Sequence, residues 1–106
     1  MGRNVLVTAI SGDIANGILR ILSEDSNNKL YGCDIHPIAV GMDKVCEFWQ
    51  SKYAVQEGYI SELIAKCKEH SITHLIPVNE REIEVISDNR EQFEKVGIKI
   101  IIQSKY

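Results

Sequence analysis

No apolar run in this 106-residue sequence approaches the ~20 residues that a membrane-spanning helix requires, and no signal-type apolar core is present. A membrane role is set aside on that ground. Cysteine is scarce: Cys33, Cys46 and Cys67 are odd in number, widely spaced and never in a C-x-x-C pair. That excludes a disulfide framework and a zinc knuckle, and reduced thiols in a cytoplasmic protein fit best. Basic residues are not clustered, and the formal net charge is −3, so nucleic acid is not an expected partner. There is no G-x-x-x-x-G-K-[ST] phosphate loop, no G-x-S-x-G nucleophile elbow and no His/Cys spacing suited to a metal. No tyrosine is followed four residues later by lysine, so the acid–base pair of short-chain reductases is missing.

What is present is an alternation of two periodicities. Residues 4–9 form a near-continuous apolar run of the kind that parallel strands show. Residues 13–22 place Ile14, Ile18, Ile21 and Leu22 on one helical face, with Asp13 suited to the helix start. A second strand is predicted at 30–35, halted by Pro37. The least regular stretch, 36–50, is read as one short helix at 38–46, followed by a short strand at 52–55. Phe48, Trp49 and Tyr53 are read as packing for that segment. Residues 59–70 form a helix, with Ile60, Leu63, Ile64 and Cys67 at i, i+3, i+4 and i+7. A strand at 73–78 leads into Asn79-Glu80-Arg81-Glu82, a capping-box pattern opening a helix to about Val96. Gly97 ends that helix and residues 98–102 form the last strand.

This order predicts one α/β domain over residues 1–106, a Rossmann-like doubly wound parallel sheet of five strands in the order 3-2-1-4-5 within three αβα layers. In such a sheet ligands lie beyond the carboxyl ends of the strands. Three segments reach that edge: the turn containing Ser11, Gly12, Asp13 and Ile14, the strand end at Asp34 and His36, and the helix start at Asn79 and Glu80. The turn could hold a carboxylate or phosphate on its backbone N–H groups, or be a tight strand-to-helix connection with no ligand. A dinucleotide fingerprint would want glycine where Ala9 and Ala15 stand, and a Cβ there impairs close pyrophosphate contact. Asp34 is placed to accept from a ribose hydroxyl or to cap the next turn. His36 shows no visible partner, and Glu80 complements the helix dipole or contacts a substrate amine.

Three stretches taken together, 7–18, 32–37 and 75–82, carry a resemblance. The chain resembles the N-terminal pre-ATP-grasp domain of ATP-grasp ligases, especially carbamoyl-phosphate-synthase large-subunit-like proteins. Family members usually have glycines where Ala9, Ser11 and Ala15 stand here. The resemblance implies a Rossmann-like layer that supplies part of an acceptor-substrate pocket, with Ser11, Gly12, Asp13, Ile14, Asp34, Asn79 and Glu80 along its substrate-facing edge. It also implies that no cofactor sits on this chain. ATP and Mg²⁺ would bind to ATP-grasp lobes in cis, about 200 further residues by ordinary domain size, or on a separate subunit. The partner ligand would be a small molecule, joined carboxylate to amine, and the isolated chain would be inactive. Two other classes share the fold. One is an NAD(P)-binding fragment of an extended short-chain reductase or epimerase; the other is a non-catalytic docking domain. An uncovered fifth strand and the aromatic-bearing loop would permit a homo-oligomer.

Overall fold

The computed structural model describes residues 2–102. Five strands, β1 (Arg3–Val7), β2 (Asn28–Asp34), β3 (Glu47–Gln50), β4 (His74–Ile76) and β5 (Lys99–Ile100), form one sheet in the order β3-β2-β1-β4-β5. Every pairing is parallel, with Val7 opposite both Gly32 and Ile76. The helices are α1 (Asp13–Leu22), α2 (Tyr59–Glu69), α3 (Glu80–Asp88) and α4 (Arg90–Glu94), and a 3-10 turn spans Val40–Lys44. The expected Rossmann-like architecture and strand order are therefore those of the protein.

Alternation along the strands divides the core in two. Leu6, Tyr31, Cys33, Leu75 and Ile100 point to the face covered by α2, α3 and α4, where they meet Leu63, Ile86 and Phe93. Val5, Val7, Leu30 and Ile76 point to the opposite face, beneath Ala15 and Leu19 of α1. At ~25 cal/mol per Å² of apolar surface, each fully buried large side chain in these layers stabilises the sheet sandwich by roughly 2 kcal/mol.

Several boundaries differ from the sequence reading. The third strand lies at Glu47–Gln50, not 52–55, because Phe48 and Trp49 alternate into the two core layers. Its ladder continues through Cys46 N–H to Leu30 carbonyl at 2.8 Å and Ser51 N–H to Asp34 carbonyl at 2.7 Å. Tyr53, read as packing, is 56% exposed. The short helix expected at 38–46 is a 3-10 turn, and the long last helix breaks at Asn89, whose φ of −116° and ψ of 21° leave the helical region. Gly97 adopts φ +82° directly before Ile98, which a residue with a Cβ would resist.

Candidate functional site

The carboxyl ends of β1, β2 and β4 open on a cavity of about 460 Å³. Ser11, Gly12, Asp34, His36 and Asn79 line it, so the three segments expected at this edge do converge there. Asp13, Ile14 and Glu80 do not line it. They occupy the first turns of α1 and α3 with exposed side chains. Ala9, Ile35, Ser51, Tyr53, Ala54, Val55, Arg81 and Glu82 complete the wall.

The β1–α1 turn is held from within. Ile10 N–H donates to the Cys33 carbonyl at 3.3 Å, and Gly12 N–H to the Ala9 carbonyl at 3.2 Å. Ser11 N–H donates to Asp34 Oδ1 at 3.2 Å, while His36 N–H donates to Asp34 Oδ2 at 3.0 Å. Asp34 is 4% exposed, and both its oxygens are engaged in stapling the turn to the end of β2. The N–H groups of Ile10, Ser11 and Gly12 are thus committed within the turn. Ala9 itself adopts φ +53°, a conformation that suits glycine, and its side chain stands on the cavity wall. Gly12 is the N-cap of α1 and makes no side-chain cap; Asp13 follows as the first helical residue and complements the dipole.

At the α3 start, Asn79 Oδ1 accepts from Arg81 N–H at 2.9 Å and Glu82 N–H at 3.4 Å. The expected reciprocal half of the capping box is replaced. Glu82 turns inward and accepts from the Tyr59 hydroxyl at 2.5 Å and from the Thr8 hydroxyl. Thr8 Oγ1 in turn accepts from Val78 N–H at 3.0 Å. The reason is energetic: two hydroxyl donors in a buried site satisfy the carboxylate better than one backbone N–H at the surface. Burial raises the Glu82 carboxyl above the usual range, with the Asp34 charge adding to it, while the two hydroxyls pull the other way. Burial and the Glu82 charge push the Tyr59 phenol up, so it remains a donor. Arg81, 62% exposed, stands at the mouth 4.0 Å from Glu84.

Arg81, Glu82, Tyr53 and Val55 are site-lining residues that the sequence reading did not place at the site. The Asn79-to-Glu82 spacing marked the helix start but is silent on which way Glu82 turns. Among the described residues no group of three His, Cys, Asp or Glu side chains is placed to hold a metal, and no helix is long and apolar enough to cross a membrane.

A family model described as "PylC-like, N-terminal domain" matches residues 6–101. The chain belongs to this family. The PylC-like N-terminal domain is the pre-ATP-grasp domain of ATP-grasp ligases. No curated protein matches the chain. Among solved structures, saccharopine dehydrogenase from Saccharomyces cerevisiae is similar at TM-score 0.70 and 11% identity, over 99% of this chain and 22% of that one. A short chain dehydrogenase family protein from Francisella tularensis gives 0.63 and 15%, over 98% and 51%. A dTDP-glucose 4,6-dehydratase from Bacillus anthracis, solved in complex with NAD, gives 0.61 and 18%, over 95% and 37%. At such identities the likeness is one of fold. The PylC-like domain spans about half or less of the length of these structures.

Proposed function

We propose that this chain is the substrate-side N-terminal domain of an ATP-grasp carboxylate–amine ligase of the carbamoyl-phosphate-synthase-like kind, and that it is not catalytic alone. The observation that carries this reading is the family match over 6–101 combined with the cavity at the carboxyl edge, where Asn79, Arg81 and the stapled turn share one wall. ATP and Mg²⁺ belong on ATP-grasp lobes supplied in cis or by a separate subunit. The lining here offers a single guanidinium and no phosphate-cradling loop, which fits a role at the substrate and not at the nucleotide. ATP supplies the acyl phosphate through which a carboxylate is joined to an amine. The residues of this chain bind and orient the small-molecule substrate: Arg81 by its charge at the mouth, and Asn79 by a side chain anchored in the α3 cap.

The NAD(P)-fragment reading finds less support at the site. Ser11, Gly12 and Ile10 spend their N–H groups internally, and Asp34 staples the turn instead of presenting an unengaged carboxylate to a ribose. Steady-state ADP formation, measured in the polypeptide that carries this domain together with its ATP-grasp lobes, tests the proposal. Arg81→Ala is expected to raise the KM of the carboxylate or amine substrate about tenfold, as loss of one charge-assisted contact implies, with the KM for ATP unchanged. A rise confined to ATP would place the nucleotide at this edge and defeat the proposal.

A further inference from the structure

Two carboxylates stand on the wall of the carboxyl-edge cavity with no cation of the chain to meet them. Asp34 is 4% exposed and Glu82 7%, and both line the space. A buried charge is costly unless it is paired and hydrogen-bonded. Among the described residues neither carboxylate makes an ion pair. Asp34 is met by the Ser11 and His36 N–H groups, and Glu82 by the Tyr59 and Thr8 hydroxyls. All four donors are neutral. A carboxylate offers about four acceptor positions, so each acid keeps roughly half its capacity. The two charges also oppose one another, since the Asp34 carboxylate helps to raise Glu82. Among the described residues no lysine lines the cavity. Arg81 reaches the mouth, but its side chain is 62% exposed and lies 4.0 Å from Glu84. His36 is exposed, and it is its backbone N–H that reaches Asp34.

We propose that the cavity takes the ammonium end of an alkylamine, with Asp34 and Glu82 as the residues that select its positive charge. This rests on the reading of the edge as a substrate site, and it names the amine as the substrate seated here. Three features favour an organic ammonium over an inorganic cation. Calcium and magnesium want about six or more oxygen ligands, and among the described residues no group of three His, Cys, Asp or Glu is placed to hold a metal. Ala9, Ile35, Ala54 and Val55 line the same cavity, and their apolar surface is used only by a ligand that carries methylene groups. An ammonium brings three donors, which suit the acceptor positions left open on the two acids. The volume of about 460 Å³ is that of a small-molecule pocket. In a desolvated site such charge-assisted hydrogen bonds are roughly twice as strong as neutral ones.

The test is an amide-resolved NMR titration of the full chain with n-butylammonium chloride as the probe. Controls at constant ionic strength are n-butanol, sodium butyrate and magnesium chloride. Ser11 and His36 report directly, because their N–H groups donate to Asp34. Saturable shifts at both are expected with butylammonium, at an affinity about tenfold or more above that of butanol, which has the same chain and no charge. Glu82→Gln keeps the shape and removes the charge. It is expected to weaken butylammonium about tenfold and leave butanol unchanged, a split that lost packing would not produce. Where Glu82→Gln disturbs the spectrum throughout, Asp34→Asn carries the same comparison. Equal affinity for butanol, tighter binding of butyrate or magnesium, or no saturation up to about 100 mM butylammonium overturns the proposal. Charge-selective binding in a polypeptide that forms no ADP with any amine would sink the ligase reading and leave this site standing. Amine-dependent ADP formation without charge-selective binding at Ser11 and His36 would do the reverse.

Discussion

At the scale of single residues, Asp34 and Glu82 are two buried carboxylates with different duties. Asp34 holds two loops by their backbone N–H groups, and removing it strands both donors. Asp34→Ala is expected to cost about 2–3 kcal/mol in urea denaturation, with Asp34→Asn, which keeps one acceptor, costing less. Equal losses for the two variants would show that the staple is not what the carboxylate contributes. Glu82 has its carboxyl raised by burial, so between the ordinary 4.5 and its raised value the folded chain binds more protons than the unfolded one. Its contribution to stability therefore declines as pH rises through that window. Unfolding midpoints measured from pH 4 upward should fall for the wild type relative to Glu82→Gln, and fall more steeply for Tyr59→Phe, which removes a donor to the carboxylate. Among the described residues two non-glycine residues adopt left-handed backbone, Ala9 at φ +53° in the turn and Ser71 at φ +54°, and Ala9 pays a penalty there that glycine escapes. Ala9→Gly should stabilise by about 0.5–1 kcal/mol, the ~1–2 kcal/mol relief less the added freedom of glycine in the unfolded chain.

At the scale of elements, the α3 start joins stability to the site. Asn79 caps two N–H groups of α3 and lines the cavity, so Asn79→Ala should cost about 1 kcal/mol in thermal unfolding whether or not a ligand is bound. An unchanged melting temperature would remove Asn79 from the cap. The helix starts and the long apolar strands were legible because periodicity and capping chemistry are local signals. β3 was not, because a four-residue edge strand carries only Phe48 and Trp49 as its mark, and two aromatics in a polar stretch look the same in a loop. The break at Asn89 was missed for a similar reason. The apolar positions Ile86, Phe93 and Val96 keep helical spacing across it, while the decisive quantity is one backbone torsion.

At the scale of the whole molecule, alternation of strand and helix with right-handed crossovers left one economical strand order, and the sheet adopts it. The site was legible as an edge but not as a chemistry. Ser11, Gly12, Asp34, His36 and Asn79 meet there because they follow strand ends. The inward turn of Glu82 toward Thr8 and Tyr59 depends on three segments far apart in sequence, which no local pattern records. The central claim is that this edge serves the substrate of a ligase and does not hold a dinucleotide. Thermal unfolding of the chain across NAD⁺, NADH, NADP⁺ and NADPH at up to about 5 mM tests it most directly, since any ligand bound only by the folded state must raise the melting temperature. The account expects no shift beyond about 1 °C with any of the four; a dose-dependent rise of several degrees with one of them would contradict it.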